Sequence, residues 1–310
     1  MRTISGRGFR QLIGAALTAL ALGLVAAPAL ADDAGAHYKQ GMSWKNQGKD
    51  DEAIAAFEKA VAADARHGMA WASLGHLYKK KKMFPQAVDA YEHATQILTK
   101  DATVWSNLGM AYYRVDRLDD ALAALATSCK LDPKQADVFS NIGVIKRKKG
   151  DNEGALTALS WAVKLAPAEH SYVNNLGVAQ RALGKLDDAS ASFAKAIALA
   201  PDQAEYYFNA AVVFRRQEEV EKAIPMYEKA VGLAPDNADA WYDLGYMYKL
   251  NHDDPKAIEA FNTYLELNKG KDADAQKNVE GEVLALGGTP VTAPPPKVTP
   301  KKPAKKKRTK

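Results

Sequence analysis

Small residues recur at one spacing along most of the chain. Gly41, Gly75, Gly109, Gly143, Gly177 and Gly245 are separated by 34 residues or twice that, and Ala211 stands at the midpoint of the double step. Twelve positions after each comes Ala (Ala53, Ala87, Ala121, Ala155, Ala189, Ala223, Ala257), and four further on a large apolar residue (Phe57, Tyr91, Leu125, Leu159, Phe193, Tyr227, Phe261). A period kept without insertion over seven copies demands one supersecondary unit stacked on itself rather than independent domains.

Within each copy the spacing is helical. Four positions before the small residue stand Trp71, Trp105, Phe139, Val173, Tyr207 and Trp241, with His37 in the first copy. Three positions after it come Trp44, Tyr78, Tyr112, Phe214 and Tyr248, with Lys146 and Gln180 as exceptions. Steps of three and four put these residues on one helix face, and the run from Ala53 does the same for a second helix. Turn residues such as Gly48-Lys49-Asp50 separate the two, and Pro133, Pro167, Pro201 and Pro235 close four copies.

The pattern of aromatic, Leu-Gly, Tyr, Ala, Phe and terminal Pro resembles the tetratricopeptide-repeat family. The resemblance covers seven repeats (34–67, 68–101, 102–135, 136–169, 170–203, 204–237 and 238–271) within a body that starts at 32. It implies an all-α fold: antiparallel helix pairs stacked as a right-handed superhelical solenoid whose first helices line a concave face. Residues 272–286 read as a capping helix with Val279, Val283 and Leu286 on one face.

Composition matters at the ends. All 37 acids lie between 32 and 286, whereas three bases (Arg2, Arg7, Arg10) precede that body and eight follow it, so an acidic body carries basic termini. Residues 1–31, with an uncharged apolar run over 12–27 and Ala29-Leu30-Ala31 before Asp32, have the layout of a secretory signal peptide cleaved near Ala31. The expected location is the periplasm or the exterior. Residues 287–310 contain six Pro and no acid, predicting a disordered tail in which Lys301, Lys302, Lys305, Lys306, Lys307 and Arg308 meet an anionic surface. Cys129 stands alone, so no intramolecular disulfide is possible, and it reads as a small packing residue.

Nothing in the sequence has the spacing of a catalytic or metal-binding motif. A Gly-rich phosphate loop, a His-Glu-x-x-His helix and a Gly-x-Ser-x-Gly elbow are missing, and six histidines are scattered singly. The expectation is a protein that is not an enzyme and takes no cofactor or metal.

The candidate binding residues lie on the first helices. Asn107, Asn141, Asn175 and Asn209 occupy the position two before the small residue, where amides that donate and accept can hold the backbone of an extended peptide, an arrangement similar to that in the repeat superhelix of O-linked sugar transferases. Four positions after the small residue stand Arg147, Arg181 and Arg215, readable as a rail for carboxylates or as bases complementing the helix dipole. Phe208, Tyr242 and Tyr246 are expected to point into the same groove as ring anchors. The paired residues with which some family members clamp a terminal carboxylate are missing, because Tyr38, Met42, Ser106 and Met110 stand there.

The leading expectation is therefore an interaction scaffold or adaptor of the cell envelope, with proteins or peptides as partners and an anionic membrane or wall surface as a contact of the tail. The alternatives are a nucleic-acid- or anionic-polymer-associated protein acting through that tail, and a non-catalytic subunit of an envelope enzyme or secretion complex.

Overall fold

The computed structural model describes residues 27–291, with side chains from 33 onward. These residues form fifteen helices and no strands, divided into two compact units between Val138 and Phe139. The first unit holds α1 (Ala27–Asn46), α2 (Asp50–Ala63), α3 (Gly68–Lys80), α4 (Phe84–Ile97), α5 (Ala102–Arg114) and α6 (Leu118–Leu131). Helix α7 (Ala136–Lys148) contains the division. The second unit continues with α8 (Asn152–Leu165), α9 (His170–Ala182), α10 (Leu186–Leu199), α11 (Ala204–Arg216), α12 (Val220–Leu233), α13 (Ala238–Leu250), α14 (Asp254–Leu267) and α15 (Ala273–Ala285). In each unit a helix packs mainly on its neighbours in sequence, the pattern of stacked helix pairs. We call the first helix of each pair A and the second B.

The period has a steric cause. A methyl group built on Gly41 would lie 2.6 Å from the Phe57 ring, on Gly75 2.8 Å from Tyr91, on Gly177 2.8 Å from Phe193, and on Gly245 2.5 Å from Phe261. Each glycine thus admits the large B-helix residue sixteen positions on, which is fully buried; each such side chain contributes roughly 1.5–3 kcal/mol of apolar burial. The B-helix alanines from Ala53 to Ala257 are buried as well, and their small size lets the next pair approach.

Polar atoms tie one repeat to the next. The Trp71, Trp105 and Trp241 indoles donate to the carbonyls of Ala65, Thr99 and Pro235, six residues back, at 3.0, 3.0 and 2.9 Å. Aromatic residues at this position therefore hold the preceding loop as well as filling space. The hydroxyls of Tyr78, Tyr112 and Tyr248 donate to Glu58, Glu92 and Glu228 of the preceding B helix at 2.7, 2.7 and 2.6 Å.

Every A-to-B turn contains one left-handed residue, again at the repeat spacing. It is Gly at 48, 150 and 184, but Lys82, Asp116, Glu218 and His252 adopt φ of 60–62° in the other four. Outside glycine this conformation costs about 1–2 kcal/mol, which the flanking helices must offset.

Helix α15 is capped by Asp272, whose carboxylate accepts from the Ala275 N–H at 3.0 Å, and it buries Val279 and Val283. The next residues depart from the expectation of a tail beginning at 287. Asn262 of α14 donates to the Thr289 carbonyl at 3.2 Å and accepts from the Val291 N–H at 2.9 Å, so the backbone to Val291 is held along α14. The remaining tail, including Lys301, Lys302, Lys305, Lys306, Lys307 and Arg308, lies outside the described residues, as do residues 12–26 of the apolar run of the expected signal peptide. Among the described residues no helix is long and apolar enough to cross a membrane.

Candidate peptide-binding faces

Two of the asparagines and two of the bases, read from the sequence as separate stripes, meet in the structure, and Arg215 meets Asp243 in the same way. In these three places a base at the end of one A helix reaches the residue 28 positions on, in the next A helix. In the first unit the Lys79 ammonium donates to Asn107 Oδ1 at 2.7 Å. In the second, Arg181 Nη1 donates to Asn209 Oδ1 at 3.1 Å, and Arg215 Nη2 lies 3.6 Å from Asp243 Oδ2.

This pairing changes what each asparagine can do. Asn209 is only 5% exposed, and its amide donates to Asn174 Oδ1 at 3.1 Å while its oxygen accepts from Arg181. Asn174, 4% exposed, donates in turn to Glu205 Oε1 at 3.3 Å. Asn107 and Asn209 thus join neighbouring A helices. Asn141 and Asn175 are half-buried and make no side-chain hydrogen bond among the described residues. The expected four-rung ladder of free amides is reduced to these two.

The arginines differ among themselves. Arg147 is exposed and makes no hydrogen bond or ion pair among the described residues. Arg181 is half-buried; burial first, then the nearby charges of Arg216 and Arg147, lower its hold on its proton, although a guanidinium remains charged. Arg216 is exposed, and its Nη1 donates to the Arg181 carbonyl at 3.0 Å. Asp243, beside Arg215, also accepts from the Tyr227 hydroxyl at 2.9 Å. Its carboxyl is pushed above the ordinary value by burial, with Arg215 and Tyr227 opposing.

Sequence reasoning did not find Asn174, Glu205 or Asp243 as members of this network. The 28-residue step from a base to the next Asn or Asp was the available signal, and Asn174-Asn175 as adjacent amides was another.

The aromatic candidates form a packed end. Phe208 meets Tyr227 edge-on with centroids 5.9 Å apart. Tyr242 lies 4.9 Å from Tyr246 and 5.2 Å from Tyr264, while Tyr246 stacks edge-on against Phe261 at 5.1 Å. The Tyr246 hydroxyl donates to Glu282 of α15 at 3.4 Å, and Glu282 also pairs with Lys249. All three rings are partly buried against the core cluster that includes Val279 and Val283 of α15, so they are packing residues as much as groove anchors. Cys129 is half-buried in α6, with burial raising its thiol pKa. Among the described residues no group of three or more His, Cys, Asp or Glu could hold a metal ion.

Comparison with solved structures finds the same stacked pairs. YrrB, described as a TPR protein with an unusual peptide-binding site, is 24% identical with a TM-score of 0.52, covering 59% of this chain and 95% of its own. MamA from Desulfovibrio magneticus RS-1 is 23% identical with a TM-score of 0.52, covering 56% and 97%. A repeat protein from Cytophaga hutchinsonii is 19% identical with a TM-score of 0.63, covering 77% and 98%. A comparison with curated proteins gives no match. The family model for the Cilia and flagella-associated protein 70 C-terminal domain matches residues 15–241, and a tetratricopeptide-repeat model matches 208–275. With most of its length inside these matches and helix pairs stacked at the 34-residue period, the chain belongs to the tetratricopeptide-repeat family, in the branch typified by that C-terminal domain.

Proposed function

We propose that this protein is a non-enzymatic scaffold or adaptor of the cell envelope that holds an extended segment of a partner protein against its A helices. The observation that carries this reading is the exposed Arg147 together with the half-exposed, unbonded amides of Asn141 and Asn175 on successive A helices α7 and α9. Amides without intramolecular bonds and a free guanidinium on the same two helices offer a peptide backbone both donors and acceptors. The description of the similar protein YrrB as peptide-binding supports the same use of the fold.

Envelope location rests on the N-terminal layout, from Arg2, Arg7 and Arg10 through the apolar run to Ala29-Leu30-Ala31. A second reading, attachment to an anionic polymer or membrane surface, is favoured by the eight bases after 286 with no acid among them.

A photo-reactive side chain placed at Asn175 should cross-link a discrete partner in cells, whereas one at the exposed Ser160 of α8 should not. The reverse pattern would move the contact to the B helices. N-terminal sequencing should give a mature chain starting near Asp32, and an intact Met1 would remove the envelope from the proposal.

A further inference from the structure

Resting on the groove reading above, we infer that the second unit recognises an acidic segment whose carboxylates recur at every third residue. The repeat period places Arg147, Arg181 and Arg215 at one helical position on α7, α9 and α11, and Arg216 adjoins the last. Arg147, Arg181 and Arg215 thus share one helical position, and the charges of Arg147, Arg215 and Arg216 all act on Arg181.

Their counter-charges are few. Arg215 has Asp243 at 3.6 Å, while Glu205 is engaged by Asn174. Arg181 rests on the neutral oxygen of Asn209 and Arg216 on a backbone carbonyl, so both are held in place without being neutralised. Arg147 has neither kind of partner among the described residues. Fixed cations with their charge uncompensated favour an anionic ligand and carry less ordering cost than mobile ones. The next base in the series, Lys249, is paired with Glu282, which ends the basic run at α11.

Geometry selects the spacing. Packed helices lie about 8–10 Å apart. A polyproline-type extended peptide advances about 3.1 Å per residue with three residues per turn. Side chains at i, i+3 and i+6 then fall on one face at about 9 Å intervals, within the range expected for neighbouring helices such as α9 and α11, which meet through Arg181 and Asn209. A pleated strand matches less well, because alternate residues face opposite ways.

The test uses the full mature chain and two fluorescent twelve-residue peptides of one composition, Glu in a Pro-Ala background. One has Glu at every third position and the other has its Glu residues contiguous. The basic tail binds both through charge alone, so the quantities of interest are the ratio between peptides and its dependence on the face. Anisotropy titration should favour the every-third peptide, and Arg147→Glu with Arg216→Gln should weaken it about tenfold while leaving the contiguous peptide nearly unchanged. Arg147→Ala, at an exposed site, provides a milder variant if the double variant loses helicity. Equal affinity for the two peptides, or affinity indifferent to Arg147 and Arg216, would overturn the inference. So would a single-stranded oligonucleotide that binds more tightly with the same arginine dependence. If the Asn175 cross-link persisted through such an outcome, the groove would stand and only its acidic specificity would fall.

Discussion

The two units use the same three positions to different effect. In the second unit the buried Tyr227 hydroxyl donates to Asp243, which also faces Arg215. The equivalent positions in the first unit, four repeats earlier, are Tyr91, Asn107 and Lys79. There Asn107 accepts from Lys79, and the Tyr91 hydroxyl, on a residue 1% exposed, has no hydrogen-bond partner among the described residues. The difference lies in the acceptor: a carboxylate serves two donors, whereas this amide serves one. The second unit also extends its pairing through Asn209, Asn174 and Glu205, so more of its A-helix face is fixed by neighbours.

The sharpest way to break this comparison is to remove the asparagine in each unit. Asn209→Ala should cost about 2–4 kcal/mol, because it strands the half-buried Arg181 guanidinium and the buried Asn174 amide together. Asn107→Ala should cost about 1 kcal/mol, since it removes a single acceptor from a flexible ammonium. Hydrogen exchange over α5 and α11 reads each unit separately, and equal losses of protection would show that the extra network contributes nothing.

A smaller effect of opposite sign sharpens the same contrast. Tyr91→Phe deletes a buried hydroxyl with no partner and should stabilise by about 1 kcal/mol, whereas Tyr227→Phe takes a donor from Asp243 and should destabilise by a similar amount. Urea unfolding monitored in each unit would decide. Two losses of the same sign would mean that the Tyr91 hydroxyl is satisfied in solution.

The smallest effect is electrostatic. Because the folded-state pKa of Asp243 is raised, its contribution to stability is present in full below the ordinary carboxylate value and is lost as pH rises through the raised one. Asp243→Asn should abolish that component, so the Tm of wild type minus that of the variant should fall as pH rises from below the ordinary carboxylate value. A difference that stayed level or rose would show that Arg215 outweighs burial.

Much of the fold was legible because its causes act within one helix pair. Gly41 and Phe57, or Gly177 and Phe193, collide unless one is small, so composition at two positions sixteen apart reports contact directly. The site was less legible because its bonds cross between repeats. Asn209 looks like a rung offered to solvent until α9 and α11 are placed side by side, and then Arg181 and Asn174 claim both ends of its amide. The turns hid their geometry for a different reason. Glycine announces a left-handed residue at 48, 150 and 184, but Lys82, Asp116, Glu218 and His252 take the same conformation under the constraint of the helices on either side.

The 28-residue pairing also bears on whether the repeats are interchangeable parts. A copy moved elsewhere would carry its Asn or Asp to a new predecessor and meet a different terminal residue. The third repeat in the seventh position would set Asn107 against Arg215, leaving that guanidinium and the Tyr227 hydroxyl to share one amide oxygen in place of a carboxylate. Tandem duplication would preserve the backbone of such an array and still mismatch its seams. The order of these seven copies is therefore written into the side chains that join them, and a shuffled chain of identical composition would fold with weaker joints.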